Sequence, residues 1–169
     1  MGRYGAPTFP LFNGGLVLGG LVGLPFAWRV LIASRNAVER VGAILLAIAV
    51  VGLIGVGIFF LDHTAVYLGR SLHGVAALTV FGVAPVAAWV YGTGVALSGD
   101  GRLAVASFWL GNVHPVAWLA WVLALGEIDT RTWFAVPEFV AAVAFGGWIL
   151  LLAVTLRRRT DGNPDESSR

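Results

Sequence analysis

The sequence predicts an all-α, polytopic transmembrane helix bundle with five spans. Three observations predict it. Hydrophobic residues make up 58% of the 169 positions and charged residues only 12%, with a mean hydropathy of +0.85, well outside the range of soluble domains. Five apolar runs are each long enough to cross a bilayer, which takes about 20 residues at a rise of about 1.5 Å. The basic residues fall in the short connections between those runs, mostly in alternate ones.

The expected spans are about Leu11 to Ala33, Val41 to Leu61, Leu72 to Leu97, Leu103 to Leu125 and Val136 to Leu156. The connections are short, so consecutive helices should be antiparallel neighbours in one bundle, residues 1–156, with no room for a second domain. The polar remainder, residues 157–169, reads as a disordered tail.

In the first span, Gly15, Gly19 and Gly23 recur at four-residue spacing and predict a smooth packing face for another helix. Pro25 removes a backbone donor, and Trp28 with Arg29 suits an interfacial anchor at the end of the span. The second span is Ile, Leu, Val, Ala and Gly throughout and reads as structural. A polar hinge holding Asp62, His63, Arg70 and His73 follows, which marks a water interface between two apolar runs. Pro85 should bend the third span, and the Ser98-Gly99-Asp100-Gly101 turn ends it.

The fourth span is unusual, because Gly111-Asn112-Val113-His114-Pro115 places two polar side chains and a helix breaker near the bilayer midplane. Pro115 frees the carbonyl of Gly111, which Asn112 or His114 could satisfy. Polar groups at this depth are expected to face the bundle interior. The next connection carries Glu127, Asp129 and Arg131, and Val136-Pro137-Glu138 opens the last span with residues suited to a first helical turn.

Arginine supplies all the basic charge, for there is no lysine. Arg29, Arg35, Arg40, Arg102 and the run Arg157-Arg158-Arg159 fall on one side, against Arg3, Arg70 and Arg131 on the other. By the positive-inside rule the first side is cytoplasmic, which places a multi-pass protein in the cell membrane with its C-terminus inside and the start of the chain outside. The opening MGRYGAPTFP reads as an external loop, so one further helix is expected upstream, six in all. Charges at segment ends rather than on one face exclude a nucleic-acid footprint. The absence of cysteine excludes disulfides and thiol chemistry, and neither a phosphate-binding loop nor a serine nucleophile elbow is present.

With this topology Asn13, Asp62, His73 and Glu138 gather within about one turn of the external face, with His114 below them. An outward-facing polar cluster of this kind is a candidate site for a lipid or small ligand, since ionisable groups at membrane depth are costly. His73, His114, Asp62 and Glu138 are also residue types that hold zinc, which would serve a hydrolase acting on a lipid or amide. No recognised ligand spacing supports that metal, and no cofactor is predicted. A proton-linked carrier working through His114 is a third reading; a pore or carrier of this size would need to form a homo-oligomer.

The residues also resemble a known family, the domain-of-unknown-function 998 group of predicted membrane proteins. The likeness rests on Gly2, Gly5, Pro7, Phe12-Asn13-Gly14-Gly15, Gly57-Ile58-Phe59 with Asp62, His73 and Pro137-Glu138-Phe139. It implies a six-helix fold of which the first helix, with a serine-containing motif, is not in this sequence, and it implies no activity. Phe60 stands where that family often has proline. A more distant likeness to membrane hydrolases that use Ser, Asp and His keeps an enzymatic reading open.

Overall fold

A computed structural model describes residues 8–59, 66–67, 70–124 and 135–161. They form five helices: α1 (Phe9–Ile32), α2 (Ala37–Ile58), α3 (Leu72–Leu97), α4 (Gly101–Ala124) and α5 (Ala135–Asp161). All five are long and apolar enough to cross a membrane. The other regular structure among the described residues is a small antiparallel ribbon, β1 (Val66–Tyr67) and β2 (Arg70–Ser71), which leads into α3. The chain is thus an all-α bundle of five spans.

Local chemistry sets the helix ends. Pro10 lies in the first turn of α1, where a missing N–H costs nothing. α2 begins four residues before the expected Val41, because Asn36 caps it: its Oδ1 accepts the Glu39 N–H at 2.9 Å. The Ser71 Oγ caps α3 in the same manner. Gly99, at φ 83°, takes the left-handed conformation that reverses the chain into α4, and Asp100 Oδ1 accepts the Leu103 N–H at 3.2 Å. α5 continues through Arg157, Arg158 and Arg159 to Asp161, so the first residues of the expected disordered tail are helical. Pro25, Pro85 and Pro115 lie inside α1, α3 and α4, and each helix runs on through its proline.

Consecutive helices pack side by side in antiparallel order, and α3 also touches α5. The α1–α2 seam differs in phase from the expected one. Gly15 has open space around it and Gly19 barely reaches Leu53, whereas Gly20 lies against Ile54 and Val50, and Gly23 against Val50. The buried residues of α1 are Asn13, Gly20 and Ala27, seven apart, with Val30 three beyond, rather than a four-residue repeat. Of the three expected packing glycines only Gly23 makes a tight contact. At the far end of this seam a Cβ on Gly57 would lie 2.8 Å from the Asn13 carbonyl oxygen, so only glycine lets the two backbones approach there.

The main core is off-centre. It joins Ala27 and Val30 of α1, Leu46 and Val50 of α2, Tyr91 and Val95 of α3, and Trp148 and Leu152 of α5. These positions lie in the half of the bundle that carries Arg29, Arg35, Arg40, Arg102 and Arg157 to Arg159. Towards the other end α1 is largely uncovered, with Leu11, Leu18, Leu21 and Val22 exposed. Such an apolar exterior fits lipid as the surrounding solvent.

Candidate functional site

Three of the stretches singled out in the sequence meet at the end of the bundle opposite the arginines. Asn13 of α1 is buried, and its Nδ2 donates to the Phe9 carbonyl one turn back at 3.1 Å. Its own carbonyl lies against Gly57. Two residues on, the Phe59 carbonyl lies 2.6 Å from His73 Nδ1 in the first turn of α3. A carbonyl can only accept, so Nδ1 carries a proton and Nε2 is left for another partner. Glu138, half-buried in the first turn of α5 behind the fully buried Pro137, is within electrostatic reach of His73. His73 of α3 thus lies beside the end of α2, whose Gly57 packs on the Asn13 backbone of α1, and Glu138 of α5 lies at the same end of the bundle. Asp62, His63, Glu127, Asp129 and Arg131 lie outside the described residues.

His114 is deeper. It belongs to the buried stripe of α4 that runs Leu103, Ala104, Ser107, Gly111, His114. Gly92 abuts Ser107 and Ala88 abuts Gly111, so continuing the register brings His114 level with Ala84 and Pro85 of α3. The imidazole is only 3% exposed, and its Nδ1 has no hydrogen-bond partner among the described residues.

Asn112 departs from expectation. It lies on the outer face of α4 beside Val105, Phe108 and Trp109, not in the bundle interior. Two residues are about 200° apart around a helix of about 3.6 residues per turn, so Asn112 and His114 cannot both face inward.

The most complete polar arrangement among the described residues is at the arginine-rich end. Glu39 is fully buried near the start of α2. Its carboxylate accepts from Arg35 N at 2.7 Å, Arg35 Nε at 3.0 Å and Ser98 Oγ at 2.9 Å. Asn36 Nδ2 donates to the Gly94 carbonyl and to Ser98 Oγ, both at 2.8 Å, so the start of α2 is fastened to the end of α3. Asp100 meets Arg159 at 3.3 Å, adding α5. The signal for this network was present in the sequence: Asn36-Ala37-Val38-Glu39 has the spacing of a helix-capping box. Deeper in the core, Trp148 Nε1 donates to Ser107 Oγ at 3.0 Å.

As for chemistry, the described residues include no group of three or more His, Asp or Glu side chains placed to hold a metal ion. The zinc reading of His73, His114, Asp62 and Glu138 therefore draws no support from them. What the polar end offers is an imidazole nitrogen, a carboxylate and an amide at the edge of an apolar bundle.

No curated protein and no solved structure matches the chain. Residues 1–155 match the family described as "Protein of unknown function (DUF998)". The chain, with its five helices long and apolar enough to cross a membrane, thus belongs to the DUF998 family.

Proposed function

We propose that this multi-pass protein binds a lipid headgroup or a small polar ligand at the end of the bundle marked by Asn13, His73 and Glu138. The observation that carries the reading is the placement of His73 and Glu138 at the same end of the bundle. Two ionisable side chains from α3 and α5 stand half-buried within electrostatic reach of each other, where the core thins out. The His73 Nε2 can hydrogen-bond a polar headgroup and the carboxylate can meet a cation or a donor, a combination suited to a zwitterionic or amine-bearing headgroup. The excess of arginine at the opposite end supports placing that end, with the C-terminus, in the cytoplasm, so that the binding end faces outward.

Native mass spectrometry of the detergent-purified protein tests the reading. Protein from native membranes should retain a lipid or small molecule that His73→Ala and Glu138→Gln lose while remaining folded. Retention unchanged in both variants would contradict it. A metal-dependent hydrolase is not favoured by any described observation, and a proton-linked carrier rests on His114 alone.

Asn112 favours a second copy of the chain as partner. It stands at the middle of the 24-residue α4 on the uncovered face, without a side-chain hydrogen bond among the described residues. A carboxamide in hydrocarbon costs several kcal/mol when unpaired, and the same amide on a symmetry-related helix can both donate and accept. Asn112→Leu should then shift the protein from dimer to monomer in single-molecule bleaching counts, and an unchanged count would remove this partner.

A further inference from the structure

At the arginine-rich end the last turns of α1 and α5 flank a cleft of about 280 Å³, lined by Arg29, Ile32, Ala33, Leu156 and Arg159. Its two cations are held differently. Arg159 is oriented from two sides, by Asp100 at 3.3 Å and by the Tyr91 hydroxyl. Arg29, in the last turn of α1, has no ion pair among the described residues. Among the described residues one carboxylate thus faces two guanidinium groups, which leaves this lining with a net positive charge. Its remaining walls are aliphatic, with Ile32 largely exposed and Trp28 beside it on the outer surface of α1.

We propose that this cleft binds the phosphate of an anionic phospholipid. Guanidinium groups match phosphate oxygens bidentately and hold that geometry where ammonium groups do not. Ile32, Ala33 and Leu156 provide an apolar wall for the first methylenes of the acyl chains, which a free phosphate ion would not use. A zwitterionic lipid would bring its own cation towards two arginines, so net anionic headgroups are selected. The site lies at the opposite end of the bundle from His73 and Glu138 and does not rest on the reading given for them.

The experiment uses the full chain in mild detergent, titrated with short-chain phosphatidylglycerol, short-chain phosphatidylcholine or inorganic phosphate, with bound lipid counted by native mass spectrometry and melting temperature followed in parallel. Phosphatidylglycerol should stay bound and raise the melting temperature. Arg29→Gln should weaken that binding about tenfold through loss of a charge-assisted contact. Arg29→Lys should weaken it less, and Arg102→Gln, an exposed arginine at the same end but outside the cleft, should leave it intact. Arg29 is exposed at a helix end, so its variants should keep the gel-filtration profile of the parent. Equal retention of phosphatidylcholine, equal losses for Arg29→Gln and Arg102→Gln, or full competition by inorganic phosphate would each overturn the assignment to an anionic lipid.

Discussion

Glu39 and Glu138 each lie in the first turn of a membrane-spanning helix, at opposite ends of the bundle, and their surroundings differ. Glu39 is fully buried, and its acceptor sites are filled by Arg35 and Ser98 while Asn36 locks the same corner to Gly94. Glu138 is half-buried, and among the described residues the ionisable group in its electrostatic reach is a histidine whose Nδ1 is engaged by the Phe59 carbonyl. A carboxylate whose lone pairs are all taken by the chain serves the fold. On the proposed reading, one at a thinly packed end near a half-engaged imidazole serves a ligand. The core follows the same division, since Tyr91, Trp148 and Leu152 crowd the Glu39 end while the opposite half of α1 is bare.

The sharpest way to break this comparison is Arg35→Ala. It leaves the Glu39 carboxylate buried without its cation, a loss of about 3 kcal/mol, at the low end for broken buried pairs because Arg35 itself is partly exposed. Glu39→Gln keeps an acceptor for Arg35 and Ser98 and should lose less; chemical or thermal unfolding in one detergent ranks the two. Trp148→Phe preserves the ring packing with Tyr91 and Phe145 but abandons Ser107 Oγ in the core. Its expected cost is about 1 to 2 kcal/mol, read from the same unfolding curves. Asp100→Asn weakens a contact whose two side chains are about one-third exposed and should cost less than about 1 kcal/mol.

The spans were legible because twenty apolar residues in a row can do little else, and the short connections left few ways to join them. Which face of each helix turns inward was not. In α1 and α4 apolar residues are spread around the whole helix, so their pattern does not fix rotation, and close approaches of backbones do. That is why glycine was the right residue type for the α1 seam while Gly20 took the place expected of Gly15 and Gly19. The same ambiguity put both Asn112 and His114 indoors, when helical geometry allows only one. His114, Asn13, His73 and Glu138 could be named from rarity alone, since polar residues at depth stand out. Glu39 sits among Arg35 and Arg40 and reads as a loop charge. Its capping-box spacing with Asn36 is the sign that the helix starts earlier and takes the charge inside with it.

Melting Arg35→Ala and the double variant His73→Ala/Glu138→Gln side by side, in the same detergent and without added lipid, tests the division between the two ends most directly. Arg35→Ala should unfold well below the parent protein, and the double variant should stay within a few degrees of it. A double variant as unstable as Arg35→Ala would mean that His73 and Glu138 hold the bundle together, and the polar end would then be a second clasp rather than a binding site.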